Sequence, residues 1–397
     1  MREGWTYKKL GEVTTTINGL WTGKKPPFIN VAVVRNTNFT KDCKLDMTNV
    51  AYLDVELKQY NSRKLLPGDI IIEKSGGSDK QPVGRPVLFD IPDGEYSFSN
   101  FTSTLRINNA DEIIPQFLHC ALYSAYLRGE TFKLQSKTTG IHNLDFKGYN
   151  RLPIPIPSLS EQQSIVAELD KINELISLKK AQLSDLDSLA QSIFYDMFGD
   201  PIENEKGWEM KVMKEVCSKI TDGTHDTPTR LTEGVKFITG KHIRPFYIDY
   251  DNSDYVTEEV HREIYARCNP EYDDVLYTNI GAGVANAAVN KVQYEFSMKN
   301  VALLKLHKEV LSSNYLVYYL NNSNVKNNII ESFSSGGAQV FLSLKAISKI
   351  LIPLPPLSLQ QDFAKRIELI EQQKAQISST IKDLETLLAS RMQYWFD

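Results

Sequence analysis

Lysines, arginines and side-chain amides recur in short loops that flank apolar runs. In the first half these are Arg35-Asn36, Lys74-Ser75, Lys80-Gln81 and Arg85; in the second they are Thr224-His225, Lys241-His242, Arg244 and Lys291. Cations and hydroxyls suit phosphate oxygens, and forked groups such as Arg, Asn and Gln suit base edges. Each of these residues is also an ordinary solvated surface residue by type alone, and His225 can equally be a turn residue bonded within its own loop. Catalytic chemistry has less support. The six histidines show no metal spacing. Asn269-Pro270-Glu271-Tyr272 superficially resembles the loop that holds a flipped adenine in methyltransferases, but Glu271 stands where a second proline belongs. The plain reading is a turn before Asp273-Asp274-Val275, mirroring Pro67-Gly68-Asp69-Ile70. Ser75-Gly76-Gly77-Ser78, Gly281-Ala282-Gly283 and Ser334-Ser335-Gly336-Gly337 are rich in glycine. They lack the strand–loop–helix context of a nucleotide site and are expected to be turns.

The composition is that of a globular chain long enough for two domains. No apolar run reaches membrane-span length, and Met1-Arg2-Glu3-Gly4-Trp5 does not open a secretion signal. Cys43, Cys120, Cys217 and Cys268 are scattered, without a Cys-x-x-Cys pair. A cytoplasmic protein is therefore expected, with no metal and no disulfide framework. The net charge of −4 does not advertise a polyanion partner. Its distribution is uneven: residues 1–155 carry 20 Lys/Arg against 16 Asp/Glu, whereas residues 156–200 carry 3 against 8. Binding to nucleic acid would have to use local patches.

The elements that must position these loops are written twice. Ile154-Pro-Ile-Pro-Ser-Leu-Ser-Glu-Gln-Gln163 matches Ile352-Pro-Leu-Pro-Pro-Leu-Ser-Leu-Gln-Gln361 at an offset of 198, which holds from Leu118/Leu316 to Phe198/Phe396. Near the start of each half the offset is 203, pairing Gly4-Trp5 with Gly207-Trp208. Insertions therefore lie inside the globular parts, and the segments after the proline straps keep register.

Those segments read as long helices. Ser160-x-x-Gln163 and Ser358-x-x-Gln361 have the form of capping boxes, and Gly199 followed by Pro201 stops the first helix. A seam of steps of four and three runs through Ile165, Leu169, Ile172, Ile176, Lys179, Leu183, Leu186, Ala190, Ile193 and Met197. The second seam is Phe363, Ile367, Ile370, Lys374, Ile377, Ile381, Leu384, Leu388, Arg391 and Trp395. This is coiled-coil spacing. Some 33 residues extend about 50 Å, farther than a domain of ~155 residues is wide, so the seams are expected to bury each other. Because domain termini usually lie close together, an antiparallel pair is expected.

Asp69–Lys74, Val275–Thr278 and Val301–Leu306 read as strands, and Pro115–Leu127 and Asn314–Leu320 as matching amphipathic helices. The fold class is α+β: two pseudo-repeated domains with twisted sheets, separated by two long antiparallel coiled-coil helices. The expected boundaries are 1–157, 158–200, 201–356 and 357–397.

The whole chain resembles the specificity subunit of type I restriction–modification systems. The resemblance rests on the proline strap running into Leu159-Ser-Glu-Gln-Gln163, its second copy, Thr221-Asp-Gly-Thr-His225 with Pro228, and Phe237-Ile-Thr-Gly-Lys-His-Ile243. The first half has Thr16-Ile17-Asn18-Gly19 roughly where the second has its Asp-Gly-Thr-His run. The resemblance implies a non-catalytic subunit whose two target-recognition domains each read one half of a bipartite, asymmetric DNA site. The helices would set the spacer and dock two adenine methyltransferase subunits, joined for restriction by motor/nuclease subunits. S-adenosylmethionine and ATP would be bound by those partners, not by this chain. The alternative from another class is a coiled-coil scaffold that presents two protein-binding domains and binds no DNA.

Overall fold

The computed structural model describes all residues except 1, 3, 22, 24, 79, 80, 139, 140, 282 and 334–339; the side chains of residues 137 and 138 also lie outside the described set. The chain divides into two compact units, residues 1–179 with 380–397, and residues 180–379. The division falls within the long helices, so each unit holds one globular domain and one end of each helix.

In the first unit, β1 (Thr6–Lys9) opens the domain, followed by β2 (Thr14–Asn18), β3 (Phe28–Val34), β4 (Ala51–Glu56), β5 (Asp69–Glu73), β6 (Pro86–Phe89), β7 (Tyr96–Phe98) and β8 (Thr102–Ile107). Helix α1 (Pro115–Leu127) packs beneath, and β9 (Pro153–Ile156) leads into the first long helix, α2 (Leu159–Phe198). One antiparallel sheet has the order β2-β8-β5-β6. A second has the order β4-β3-β7, with β3 and β7 parallel. Ile70, Ile71 and Ile72 are fully buried, as a central strand covered on both faces requires.

The second unit repeats these strands; the first also holds a three-stranded sheet of Ser75–Gly77, Gln135–Thr138 and Ile141–Leu144, and the second a short hairpin, Ile243–Arg244 with Tyr247–Ile248. Its elements are β10 (Glu209–Val212), β11 (Cys217–Asp222), β12 (Val235–Thr239), β13 (Asp254–Val256), β14 (Val275–Thr278), β15 (Ala287–Val289), β16 (Ser297–Lys299) and β17 (Val301–Leu306). Helix α3 (Ser313–Asn321), β18 (Leu351–Leu354) and the second long helix, α4 (Leu357–Phe396), complete it. The sheet orders are β11-β17-β14-β15 and β13-β12-β16, again with the one parallel pair, β12 and β16. The repeat seen in the sequence is thus a repeat of topology, although few residues within the sheets match.

The proline straps are extended and do not stand alone. Each is one strand of a two-stranded ribbon: β9 pairs antiparallel with β1, and β18 with β10. Pro153 and Pro155 are two apart, so the missing amides share one edge and the amides of Ile154 and Ile156 remain available to β1.

The helix starts also need correction. Each long helix spans 40 residues, about 60 Å. The first is capped two residues earlier than expected: Ser158 Oγ accepts from Glu161 N at 3.3 Å, the helix begins at Leu159, and Ser160 lies within it. At the second start Pro356 holds the corresponding place, and its carbonyl accepts from Leu359 N. The glutamine that matters is the first of each pair. Gln162 is fully buried; its Nε2 donates to the carbonyls of Glu112 (2.8 Å) and Pro157 (2.9 Å), and its Oε1 accepts from Ile114 N (2.9 Å). Gln360 repeats all three bonds, to Val310 O, Pro355 O and Ser312 N. Each glutamine ties the start of a long helix to its domain.

Every predicted seam position is buried or half-buried. In the first unit, Ile165 and Leu169 share a core with Met392, and Arg391 and Trp395 both bond to Glu168. In the second unit, Phe194 and Phe198 pack on Phe363 at ring distances of 5.7 and 5.2 Å, and Lys374 bonds to Asp187 at 2.7 Å. In both units the start of one helix lies against the end of the other, so the helices are antiparallel. Lys374 interrupts the seam because its stem is half-buried while its ammonium bridges Asp187 and Glu371. Phe194, Phe198 and Val166 widen the buried stripe beyond the seam, because the helix ends also pack on the domains.

Candidate nucleic-acid interface

In each domain three loops meet beside the end of the central strand. The first follows β2 or β11. An added Cβ at Gly19 would lie 1.9 Å from Ser99 O, and one at Gly223 would lie 2.1 Å from Met298 O. Only glycine permits that backbone approach. Asn18-Gly19 and Asp222-Gly223 therefore occupy equivalent places. The second loop is a 3-10 turn, Asn36–Asn38 or Gly240–His242. The third follows β5 or β14: in the second domain it is Asn279-Ile280-Gly281, and in the first Lys74 leads into Ser75–Gly77, which is not the turn expected but a short strand paired with Ile141–Leu144.

The first domain brings several predicted residues together. Asn36 Nδ2 donates to Ser75 O at 2.5 Å, and Ser75 Oγ donates to Asn143 Oδ1 at 2.6 Å. Lys74 Nζ lies 3.4 Å from Asn18 Oδ1, which also accepts from Ser103 Oγ at 3.2 Å. Lys74 is half-buried, and burial holds its pKa below the usual lysine value. A cation seated against a neutral amide is left with attraction for an anion. Arg35 is exposed beside this cluster, with a guanidinium bond to Asn49 O at 3.3 Å. Gln81 is exposed in a turn with Ser78, and Lys80 lies outside the described residues.

Arg85 does not belong to this surface. It is 5% exposed and paired with the buried Glu73 at 2.7 Å, and it donates to the carbonyls of Phe39 (3.1 Å) and Thr40. Its counterpart Asn286 makes the matching bond to Ile243 O at 3.2 Å. The pair holds the loop after the 3-10 turn to the sheet, so the guanidinium faces the interior.

In the second domain, His225 is exposed and bridges Asn300 Oδ1 and Asp222 Oδ2, each at 3.0 Å. Asp222 also accepts from Arg267 at 2.5 Å. Thr224 Oγ1 closes the turn by accepting from Asp226 N. Lys241 and Arg230 share Asp254, at 3.1 and 3.0 Å. Arg244 is exposed in the short hairpin Ile243–Ile248, and Lys291 is exposed elsewhere in the unit.

His242 is a second correction. It is 2% exposed, and its Nδ1 accepts from Thr239 N at 2.9 Å. Burial holds it below the ordinary histidine pKa, which keeps the ring a neutral acceptor. Asn38 makes the same bond to Arg35 N at 3.0 Å. Both residues cap the 3-10 turn from inside.

Sequence reasoning set Asn18-Gly19 against Asp222-Gly223 without naming Asn18 or Asp222 as candidates, and it did not reach Phe101, Asn143 or Asn300. Asn143 lies in the strand Ile141–Leu144 and Phe101 and Asn300 between strands, so they come near only through strand pairing.

The framework is thus a doubled α+β fold whose main strands recur while the loops at one place change chemistry. Among known families, the one described as Type I restriction modification DNA specificity domain matches residues 2–187 and again 205–386. The chain belongs to this family. The EcoKI specificity subunit of Escherichia coli K12 is 23% identical over 394 residues, covering 92% of this chain and 82% of that one. The StySPI specificity subunit of Salmonella potsdam is 24% identical over 400 residues with the same coverage. A solved S subunit from M. genitalium shares the fold with a TM-score of 0.55 at 17% identity, covering 99% of this chain and 96% of that one. A chain from a structural study of type I R-M complex assembly and conformational transition gives 0.59 at 21% identity, covering 100% and 98%. Among the described residues, no helix is long and apolar enough to cross a membrane.

Proposed function

We propose that this chain is the non-catalytic, DNA-reading subunit of a cytoplasmic type I complex. Each domain reads one half of a bipartite, asymmetric site. The observation that carries this reading is the same three-loop surface built twice on one framework, with Asn18, Asn36, Lys74 and Ser75 in one copy and Asp222, Thr224, His225 and Asn300 in the other. Amides and hydroxyls suit base edges, and cations such as Lys74 suit phosphates. Two unlike surfaces make the site asymmetric.

The long helices set the separation of the half-sites and dock two adenine methyltransferase subunits. In support, Leu175, Leu178 and Leu387 in the first unit, and Leu189 and Leu369 in the second, stand exposed on helices whose seams are already buried. Apolar helix surface of this kind suits protein partners. S-adenosylmethionine and ATP belong to the methyltransferase and to motor/nuclease subunits.

The test is binding of a duplex carrying the target site by this chain with its methyltransferase, across a salt series. Affinity is expected to fall linearly in log–log form with salt, with a slope set by the phosphates contacted. An affinity that does not change with salt contradicts the reading.

A further inference from the structure

The connection between the last two strands of the sheet core differs between the two domains. Between β7 and β8 it is Ser99-Asn100-Phe101; between β16 and β17 it is Asn300 alone. Phe101 O accepts from Lys74 N at 2.9 Å and from Ser75 N at 3.1 Å, so its backbone is part of the third loop of the candidate surface. The residue is 47% exposed. It lies over the bare backbone of Gly76, where an added Cβ would stand 3.9 Å from the ring and 3.0 Å from Asn36 Nδ2. An apolar face is thus held in water, bordered by Asn36, Lys74 and Ser75.

A lone exposed phenylalanine is unremarkable by type; this one stands out by its place. A cation, a hydroxyl, an amide and an aromatic face are brought side by side from three separate segments of the chain. Thymine is the base that shows a methyl group in the major groove, beside a carbonyl acceptor. We infer that Phe101 is a specificity-determining residue of the first domain, packing on the 5-methyl group of a thymine in that domain's half-site. This rests on the proposed DNA-reading function. The second domain has Asn300 at this place, with φ of +51° and its amide bonded to His225, so its contact there is by hydrogen bonding. The two domains then differ in chemistry at one equivalent point.

The test uses the full chain with its methyltransferase and duplexes in which each thymine of the first half-site is replaced in turn by deoxyuridine. Affinities are measured for the natural protein, Phe101→Ala and Phe101→Leu. At one position, loss of the methyl is expected to weaken binding by the natural protein about fourfold, the worth of one buried methyl-sized group, ~0.8 kcal/mol. Phe101→Ala should not distinguish the two duplexes, and Phe101→Leu should keep part of the difference. If every deoxyuridine effect is the same in the natural protein and in Phe101→Ala, the inference is wrong. Lys74→Ala separates the two levels of failure. Weaker binding to all sequences with an unaltered methyl effect in Phe101→Ala would overturn the inference and leave the DNA-reading surface standing. No change in either variant would overturn both. The bonds made by residue 101 are backbone bonds and the residue is exposed, so both substitutions leave the fold intact.

Discussion

Replacing Gln162 by leucine should destabilise the first unit by about 3 kcal/mol. The side chain is fully buried and near in size to leucine, so little cavity is formed. What is lost is three hydrogen bonds, to Glu112 O, Pro157 O and Ile114 N. Each contributes about 1 kcal/mol net, and more where the abandoned backbone group stays buried without water. In a unit of this size, ~3 kcal/mol corresponds to a melting shift on the order of 6–12 °C. Differential scanning calorimetry on the full chain reads this directly. Gln360→Leu should produce an equal shift in the second unit, since its three bonds are the same. Gln163→Leu, at an exposed neighbouring position, serves as the control and should be nearly neutral. A shift under roughly 2 °C for Gln162→Leu, or a shift for Gln163→Leu as large, would refute the assignment of the buried glutamine as the tie between helix and domain.

Three further outcomes follow from the same geometry. Arg85→Ala leaves Glu73 buried and unpaired, so it should cost about 3–5 kcal/mol in denaturant unfolding, while the salt slope of DNA binding by the folded fraction stays unchanged. His242→Asn should be tolerated within about 1 kcal/mol because Asn38 makes the same cap in the other domain, whereas His242→Ala should lose about 1–2 kcal/mol by thermal melting. The Glu168 carboxyl is held below its usual 4.5 chiefly by the Arg391 hydrogen bond. A depressed folded pKa gives stability that is present above pH 4.5 and lost as the pH falls through the lowered value. Glu168→Gln should therefore flatten the difference in stability between pH 5 and pH 3, and an unaltered acid limb would contradict the bond.

Much of the architecture was legible because it depends on period. The two seams could be read residue by residue, and the strands Val275–Thr278 and Val301–Leu306 and the helix Pro115–Leu127 have the predicted bounds. A buried helix seam leaves a spacing that nothing else imitates. What was not legible depends on which residues meet across the sheet. Glu73 ends β5 and Arg85 stands just before β6, 12 positions later, and nothing local tells a buried arginine from a surface one. His242 was read as a surface group because its cap bond needs a turn that sequence does not show. Ser160-x-x-Gln163 and Ser158-x-x-Glu161 fit the capping motif equally well by sequence, and the structure uses Ser158. The candidate surface was half visible: Asn36, Lys74 and Ser75 do converge, but Asn18 and Asn143, which join them, come from strands distant in the sequence.

The central claim is that the two domains are separate readers. Its most direct test is to replace residues 1–157 with the corresponding domain of a relative of different specificity, then sequence the adenine methylation of a host that carries the chimera and its methyltransferase. One half of the methylated motif should change, while the other half and the spacer between them stay as they were. A motif altered in both halves, or unaltered in both, would contradict the account.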